Sequence, residues 1–202
     1  MGQISADVLG ERICNCLETN KEKNFTDRIV ECRQLIRNDL ADLSTSKRKK
    51  KIEEMDIYLQ KNCLEFLKIV TKDNILNKGD WVAVDTNPPT NLEDSVCSEL
   101  FKKQNIFYIQ ATSDTISVVI NDNYWIETSG LNKYKSIEKI DFFKNCEFTL
   151  EFVESNDPTA NKYSKQGDKI YYRILDQTNS YFSVSATRNG ITLLFKIYYK
   201  NN

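Results

Sequence analysis

The six cysteines of this 202-residue chain, together with its lack of histidine, constrain the fold more than any other feature. Four lie in the first third of the chain and two lie further along: Cys14, Cys16, Cys32, Cys63, Cys97 and Cys146. A zinc site needs a ligand quartet such as a repeated C-x-x-C, whereas this chain has a C-x-C and no histidine to complete a mixed site. A C-x-x-C redox pair is absent as well. The spacing favours disulfides over metal ligands, with buried free thiols as the alternative.

The first part of the chain, residues 3–76, shows helical periodicity. Apolar residues recur every three or four positions in three segments: 4–17, 29–40 and 52–67. Thr26 is a good N-cap for the second helix, and Gly10 should weaken the first by about 1 kcal/mol relative to alanine. The pattern predicts a small three-helix bundle. The following residues, 77–97, are rich in Pro, Asn and Asp, which predicts a linker that could hold a short strand at WVAV.

The four cysteines of the helical part can pair with one another. The side chains of Cys14 and Cys16 point about 200° apart on a helix, so they should bridge to different helices. We favour the pairs Cys16–Cys32 and Cys14–Cys63, although the swapped pairing fits almost as well. In the chain-entropy model the shorter loop contributes about 3 kcal/mol and the longer one about 4 kcal/mol. A bundle of this size needs such cross-links because its core alone is marginal.

The expected disulfides indicate where the protein is located, because disulfides form and persist in oxidising compartments. The N-terminus lacks the charged and apolar regions of a signal peptide. We interpret Met1 and Gly2 as added residues in front of a mature chain that begins near Gln3, after removal of a signal peptide. The expected location is the periplasm, the cell surface or the secreted fraction.

From about residue 105 the apolar pattern alternates with a period of two, as in CEFTLEF at 146–152. Eight strands are predicted: 106–112, 115–120, 123–128, 134–143, 146–154, 168–176, 179–187 and 190–199. Short connections such as NDN and RNG are typical of hairpin turns. Eight consecutive strands without helices favour an antiparallel meander over residues 98–202, closed or nearly closed into a lipocalin-like barrel or a half-barrel. The predicted fold class is therefore α+β.

The cysteine motifs resemble those of secreted and periplasmic proteins from Bacteroidetes. ICNCLE, ECRQLI and NCLEF, all within the first 67 residues, are similar to an N-terminal module with a CxC, a later Cys and an NCxxF helix, carried behind a cleaved signal peptide. NCEFTL at 145–150 resembles the N-C-E-(Y/F)-x-L strand of small extracytoplasmic β proteins of that phylum, in which another cysteine precedes the first strand. The resemblance implies a bridge between Cys97 and Cys146, and it implies no activity.

Aromatic residues of the strand region occur largely as adjacent pairs, so one member of each pair should point into the core and the other outward. Packing in the core is the simplest interpretation, whereas a contiguous outer patch would mark a binding surface. The candidate binding aromatics are Tyr108, Tyr124, Trp125, Tyr172 and Tyr181.

Carboxylates are plentiful in the strand region: Glu127, Glu138, Asp141, Glu147, Glu151 and Glu154. A glycosidase needs two of them facing each other across a cleft, yet Glu147 and Glu151 should meet solvent on the face opposite Phe148. The run KRKKK at 47–51 is followed closely by acidic residues and has no interleaved aromatic. We interpret it as a solvated helix start rather than a nucleic-acid or membrane patch.

These features predict function only broadly. The formal net charge of −1 provides no basic field for nucleic acid, and no apolar run approaches the roughly 20 residues that span a bilayer. We predict no catalytic residue, no metal and no cofactor. The leading hypothesis is a non-enzymatic extracytoplasmic binding or interaction module for a protein partner or a small apolar ligand. The alternatives are a periplasmic inhibitor or immunity-like protein and a carboxylate-based hydrolase.

Overall fold

A computed structural model describes residues 4–72, 81–103, 105–110, 114–130 and 133–200, without the side chains of residues 25, 26 and 72. The chain divides into two compact units, Met1–Asp73 and Asn74–Asn202. The first is helical and the second contains a closed antiparallel β-barrel, so the predicted α+β class is confirmed. We call them the helical unit and the barrel unit.

Within residues 4–72 there are five helices: α1 (Ala6–Thr19), α2 (Phe25–Gln34), α3 (Arg37–Ala41), α4 (Thr45–Asn62) and α5 (Leu64–Lys72). The prediction of three helices was wrong in number, because the second segment is interrupted at Leu35 and Ile36 and the third at Cys63. The predicted cap of α2 was also wrong. Asn24 is the N-cap, since its side-chain oxygen accepts a hydrogen bond from a backbone N–H of the first turn, and Thr26 already lies within the helix.

The core of the helical unit lies between α1 and α4. Leu9, Ile13 and Leu17 follow one another at four-residue spacing on α1 and are fully buried, as are Met55 and Leu59 on α4. Burying one such side chain contributes about 1.5–3 kcal/mol relative to leaving it exposed. This contact between two apolar faces therefore holds the longest helices together.

Gly10 allows α1 and α4 to approach each other closely. A Cβ at this position would lie 2.4 Å from a ring carbon of Tyr58 on α4, far inside normal van der Waals contact. The helix propensity lost at Gly10 is therefore offset by packing that only glycine permits.

Two disulfides connect the helices of this unit. Cys14 bonds to Cys63 and Cys16 bonds to Cys32, with Cα atoms 5.6 Å apart in both bridges. These are the pairings that the sequence favoured, and the swapped arrangement does not form. The bridges span sequence separations of 49 and 16 residues, so in the chain-entropy model they contribute about 4 and about 3 kcal/mol.

A buried ion pair joins α2 to α5. Arg28 and Glu65 are 7% and 6% exposed, and their side chains are 3.1 Å apart. The same guanidinium nitrogen donates a hydrogen bond to the backbone oxygen of Leu17 on α1. Lys21 and Lys68 lie 3.4 Å and 3.2 Å from the other carboxylate oxygen. Burial alone would raise the pKa of Glu65, but the bonds from Lys68 and Arg28 hold it below its ordinary value.

The described part of the barrel unit has nine strands: β1 (Val82–Val84), β2 (Ile106–Ile109), β3 (Thr115–Asn121), β4 (Tyr124–Ser129), β5 (Tyr134–Phe142), β6 (Glu147–Ser155), β7 (Lys169–Gln177), β8 (Tyr181–Arg188) and β9 (Ile191–Tyr199). Strands β2 to β9 each pair with the next, and β9 also pairs with β2, which closes an eight-stranded antiparallel barrel. The eight predicted strands are confirmed, with small shifts at their ends, except that residues 111 and 112 of the first lie outside the described residues. β1, which corresponds to WVAV, pairs with the first half of β9.

Inward-facing residues alternate along the strands and form a single core. The buried residues that the barrel strands contribute to it are Ile106, Val118, Trp125, Ile140, Phe148, Leu150, Ile174, Phe182, Val184, Phe195, Ile197 and Tyr199. Tight turns connect the strands, as in RNG, where Asn189 and Gly190 have φ angles of 51° and 76°. Cys146 also has a positive φ and lies in the turn before β6, whereas the predicted strand began at this residue.

The part of the predicted linker that the structure describes, residues 81–97, is bonded to the barrel. The guanidinium of Arg173 on β7 donates to the backbone oxygen of Pro88 at 2.9 Å. The hydroxyl of Ser185 on β8 donates to the side-chain oxygen of Asn87 at 2.7 Å. These bonds hold the segment on the outer surface of two neighbouring strands.

Three short helices complete the described barrel unit: α6 (Asp94–Cys97), a 3₁₀ helix (Ser98–Lys102) and α7 (Ala160–Tyr163). Cys97 bonds to Cys146 with a Cα distance of 5.4 Å, so the third expected bridge is confirmed. Phe101 packs edge-to-face against Phe142 and Phe148. The 3₁₀ helix therefore covers the end of the barrel at which β5 ends and β6 begins.

Candidate functional site

A groove between α2–α3 and α4 is the first candidate site, and we call it the arginine groove. Its volume is about 610 Å³, within the range of ligand pockets. Its floor is apolar and consists of Ile36, Leu40, Ile52 and Met55, with Val30 at the edge. Ile52 and Met55 are three residues apart on one face of α4, whereas Ile36 lies just before α3 and Leu40 lies within it. Val30 is 53% exposed, whereas Ile36 and Met55 are buried.

Among the described residues, every charged side chain that lines the groove is an arginine: Arg33, Arg37 and Arg48. Arg48 donates to three backbone oxygens around the end of α3 at 3.0 to 3.3 Å, which fixes its orientation. Arg33 lies 3.5 Å from Asp56. The side chain of Arg37, the first residue of α3, forms no ion pair or hydrogen bond with any residue that the structure describes. The groove therefore combines an apolar floor with a positively charged edge.

The acid pair of Glu127 and Glu138 inside the barrel is the second candidate site. Glu138 lies directly opposite Trp125 across β4 and β5, and Glu127 shares the inward face of β4 with Trp125. The Trp125 indole N–H donates to Glu127 at 2.9 Å, and the Tyr108 hydroxyl donates to the same carboxyl group. One oxygen of Glu138 is buried and has no hydrogen-bond partner among the described residues.

Burial controls the ionisation of the acid pair. It raises the pKa of Glu127, and the bonds from Trp125 and Tyr108 offset part of that increase. Burial, followed by the negative charge of Glu127, raises the pKa of Glu138 to about 9. The pKa values of Tyr108 and Tyr172 are also raised, first by burial and then by Glu127. At neutral pH Glu138 is therefore a neutral acid beside Glu127.

Aromatic rings fill the barrel interior around the acid pair. Tyr172 stacks on Phe148 with ring centroids 4.9 Å apart, and Trp81 stacks on Phe195 at 4.2 Å. Tyr172 also contacts Phe195 edge-on at 6.4 Å, which joins the two stacks into one chain of rings. The Trp81 indole N–H donates to the backbone oxygen of Ile109 at 2.6 Å. The half-buried glutamates therefore share the barrel with a chain of packed aromatic rings.

Three of the five candidate binding aromatics lie near the acid pair and two do not. Tyr108, Trp125 and Tyr172 belong to the barrel core or pack against it. Tyr124 is 45% exposed, and Tyr181 packs against an aromatic and a lysine side chain of β9. The five residues therefore do not form one surface.

The remaining candidate carboxylates are Asp141, Glu147, Glu151 and Glu154. The first three form ion pairs with Lys139, Arg173 and Lys169 respectively, and the last is exposed. The Lys139–Asp141 pair lies along β5, whereas the other two pairs link β6 to β7, so each of these three carboxylates has a basic partner within the sheet.

Reasoning from sequence missed the arginine groove, and it named Glu127 and Glu138 only among the six candidate carboxylates, without pairing them. Val30 and Arg33 are three positions apart on α2 and so lie on one helix face, but Arg37 begins α3 beyond the break at Leu35 and Ile36. Glu127 has the same parity along β4 as a buried tryptophan, and Glu138 has the same parity along β5 as a buried isoleucine. Parity alone predicts that both glutamates point inward.

Comparison with known proteins does not assign a family: no family model, curated protein or solved structure matches the chain. Within the described residues, no group of three or more cysteine, aspartate or glutamate side chains could hold a metal ion. None of the described helices is long and apolar enough to cross a membrane. Function therefore has to be argued from the arginine groove and the acid pair.

Proposed function

We propose that this chain is an extracytoplasmic, non-enzymatic interaction protein whose arginine groove binds a partner protein. The observation that carries this proposal is the groove itself. It has a volume of about 610 Å³, and its apolar floor lies beside three arginines. Concave apolar surface with a polar rim is typical of interaction sites, and arginine is enriched in them. A periplasmic inhibitor or immunity-like role is one specific form of this proposal.

The disulfides support the proposed location. All six cysteines are bridged, and five of them are buried. Such bridges persist in the periplasm, at the cell surface or in the medium, whereas the cytosol keeps thiols reduced. We therefore propose that the groove meets its partner outside the cytoplasm.

The surroundings of the acid pair support a scaffold role for the barrel over the hydrolase and small-ligand alternatives. A glycosidase needs two carboxylates that flank a substrate. Glu127 accepts bonds from Trp125 and Tyr108, and Glu138 lies opposite Trp125 across β4 and β5. A substrate or an apolar ligand would have to displace these rings to reach either carboxyl group.

Site-specific photo-crosslinking tests the proposed function. A benzophenone amino acid replaces Val30 at the groove edge, and the matched control replaces Val119, which is 59% exposed in the barrel unit. Both variants are exported at native level in the cells that produce the protein. We expect discrete adduct bands from position 30 and none from position 119. Identical bands from both positions, or none from position 30, would contradict the proposal.

A further inference from the structure

We infer that the partner segment bound by the arginine groove is an amphipathic helix that carries carboxylates beside its apolar face. This inference rests on the function proposed above, because it takes the occupant of the groove to be a protein. It adds the shape and the charge of that occupant, and each follows from a different property of the groove.

The floor of the groove favours a helix as its occupant. Ile36 and Leu40 come from one wall, and Ile52 and Met55 come from α4. Side chains at three- and four-residue spacing on neighbouring helices leave a furrow, into which the ridge of another helix packs. An amphipathic helix provides such a ridge with apolar anchors at positions i, i+3 or i+4, and i+7.

The arginines select the charge of the occupant. The guanidinium of Arg37 forms no ion pair or hydrogen bond within the described residues, so it is available to a partner. Arg48 uses Nε and one Nη to hold backbone oxygens, which keeps its side chain in a fixed orientation at the groove. Guanidinium groups form short, strong and frequently bidentate hydrogen bonds with carboxylates. Glutamate or aspartate beside the apolar ridge would complete these bonds.

The lysine run at the start of α4 adds positive charge to the helix that carries Arg48. Lys47, Lys49 and Lys50 are exposed on the first turns of α4. Lys50 has a long contact of 3.8 Å with Glu54 on the same helix, which is a weak surface pair. Complementary charge at the rim raises the association rate and disfavours basic partners. An acidic helix is therefore the occupant that fits both the floor and the rim.

Binding of designed peptides tests the inference. The probe is a fluorescein-labelled helix of about 18 residues, long enough to be partly helical alone, with leucines along one face and glutamates on both flanks. The matched peptide has glutamine at the flanking positions. The proteins are the wild type, Arg37→Glu, and Lys135→Glu as a control with the same charge change on the barrel unit. Circular dichroism checks that each variant is folded, and fluorescence anisotropy measures Kd.

We expect the glutamate peptide to bind the wild type and Lys135→Glu at least about tenfold more tightly than the glutamine peptide, and Arg37→Glu to lose that preference. Equal binding of both peptides would overturn the acidic partner, while adducts at position 30 would still support the groove. If neither peptide binds and position 30 gives no adduct, both proposals fail. Binding of the wild type to phosphatidylglycerol vesicles but to neither peptide would overturn the helical partner in favour of an anionic lipid surface.

Discussion

Each unit holds a glutamate shielded from solvent, fully buried at Glu65 and half-buried at Glu138, but the neighbours of the two differ and so does their ionisation. In the helical unit, Glu65 lies against Arg28 and two lysines, and its pKa is held below the ordinary value despite burial. In the barrel unit, Glu138 lies beside Glu127, and its pKa rises to about 9. The helical unit is therefore stabilised by a glutamate that is an anion, whereas the barrel accommodates one that is neutral. Burial raises the pKa of both carboxyl groups; at Glu65 the bonds from Lys68 and Arg28 outweigh it, whereas at Glu138 the negative charge of Glu127 adds to it.

The two units also differ in how they are held together. The helical unit has two disulfides within about 50 residues of chain, whereas the barrel has one disulfide and a sheet that closes on itself. A unit of about 70 residues buries too little apolar surface to be stable without cross-links. We therefore expect covalent bonds to matter more in the helical unit and hydrogen-bonded closure to matter more in the barrel.

Reduction of the disulfides should produce the largest difference between the units. The helical unit would lose about 3 and about 4 kcal/mol from its two loops, and the barrel about 4 kcal/mol from its single loop. Both tryptophans, Trp81 and Trp125, belong to the barrel unit, so tryptophan fluorescence reports the barrel while far-ultraviolet circular dichroism reports mainly the helices. With reductant at room temperature, we expect loss of the helical signal and a barrel transition that persists at a lower Tm.

The control for this experiment is the double variant Cys97→Ser and Cys146→Ser without reductant. It should lower the Tm reported by tryptophan fluorescence and leave the helical transition unchanged. Simultaneous loss of both signals in either experiment would show that the two units unfold as one, and the comparison between them would fail.

Arg28→Met should destabilise the helical unit by about 3–5 kcal/mol, because it leaves Glu65 buried without its arginine. Urea unfolding followed by circular dichroism measures this effect. The matched control is Lys23→Met, since Lys23 and Glu31 form an ion pair in which both side chains are about half exposed. The control should cost about 1 kcal/mol or less. If both variants lose equally little free energy of unfolding, the buried Arg28–Glu65 pair stabilises the unit no more than an exposed pair does.

The pH dependence of stability should have opposite signs in the two units. The folded barrel binds the Glu138 proton more tightly than the unfolded chain does, so this contribution is complete below pH about 4.5 and is lost as pH rises toward about 9. The pKa of Glu65 is lowered, so its contribution is present above pH about 4.5 and is lost on further acidification. Urea unfolding at several pH values, followed by fluorescence and circular dichroism, should separate the two trends.

Glu138→Gln removes the ionisation of this group and should stabilise the barrel at about pH 9 by roughly 1–3 kcal/mol, because glutamine remains neutral. It should also flatten the pH dependence reported by tryptophan fluorescence. The exposed Glu154→Gln on β6 is the matched control and should leave that pH dependence unchanged. A barrel whose alkaline stability is the same in the wild type and in Glu138→Gln would show that Glu138 is not neutral when folded.

Gly10→Ala should destabilise the helical unit by about 1–2 kcal/mol, because the added Cβ would overlap the Tyr58 ring. Helix propensity alone predicts the opposite sign. Asn15→Ala, at an exposed position on the same helix, is the control and should be stabilising by a few tenths of a kcal/mol. Thermal unfolding by circular dichroism distinguishes the two. A stabilised Gly10→Ala variant would mean that α1 and α4 are less closely packed.

The strands could be predicted from the sequence because they depend on local pattern, whereas the pattern left two pairings open for the helical disulfides and the Cys97–Cys146 bridge was implied by the resemblance. Alternation with a period of two fixes which residues of β6 face inward, and the opposed directions of Cys14 and Cys16 separate their partners. The break in the second predicted helix at Leu35 and Ile36 has no proline or glycine to announce it. Sequence periodicity therefore predicts the faces of the elements well and their interruptions poorly.

The remaining features depend on contacts between residues distant in the chain. Asn87 and Ser185 are 98 residues apart, yet their hydrogen bond holds part of the predicted linker on the barrel. Closure of the barrel places two glutamates in one aromatic interior, and the packing of α3 beside α4 forms the arginine groove. Neither arrangement has a local signature. Parity and helix face predict only the direction in which each of these side chains points.

Glu65 and Glu138 should ionise at opposite ends of the pH range, and carbon-13 NMR titration of the glutamate side-chain carboxyl groups measures both pKa values in one experiment. Glu138→Gln and Glu65→Gln assign the two resonances. We expect the Glu138 signal to titrate near pH 9 and the Glu65 signal to titrate below 4.5, the ordinary pKa of a glutamate side chain. A Glu138 signal that titrates at the same pH as Glu65 would contradict this expectation, because the two carboxyl groups would then be in the same electrostatic state.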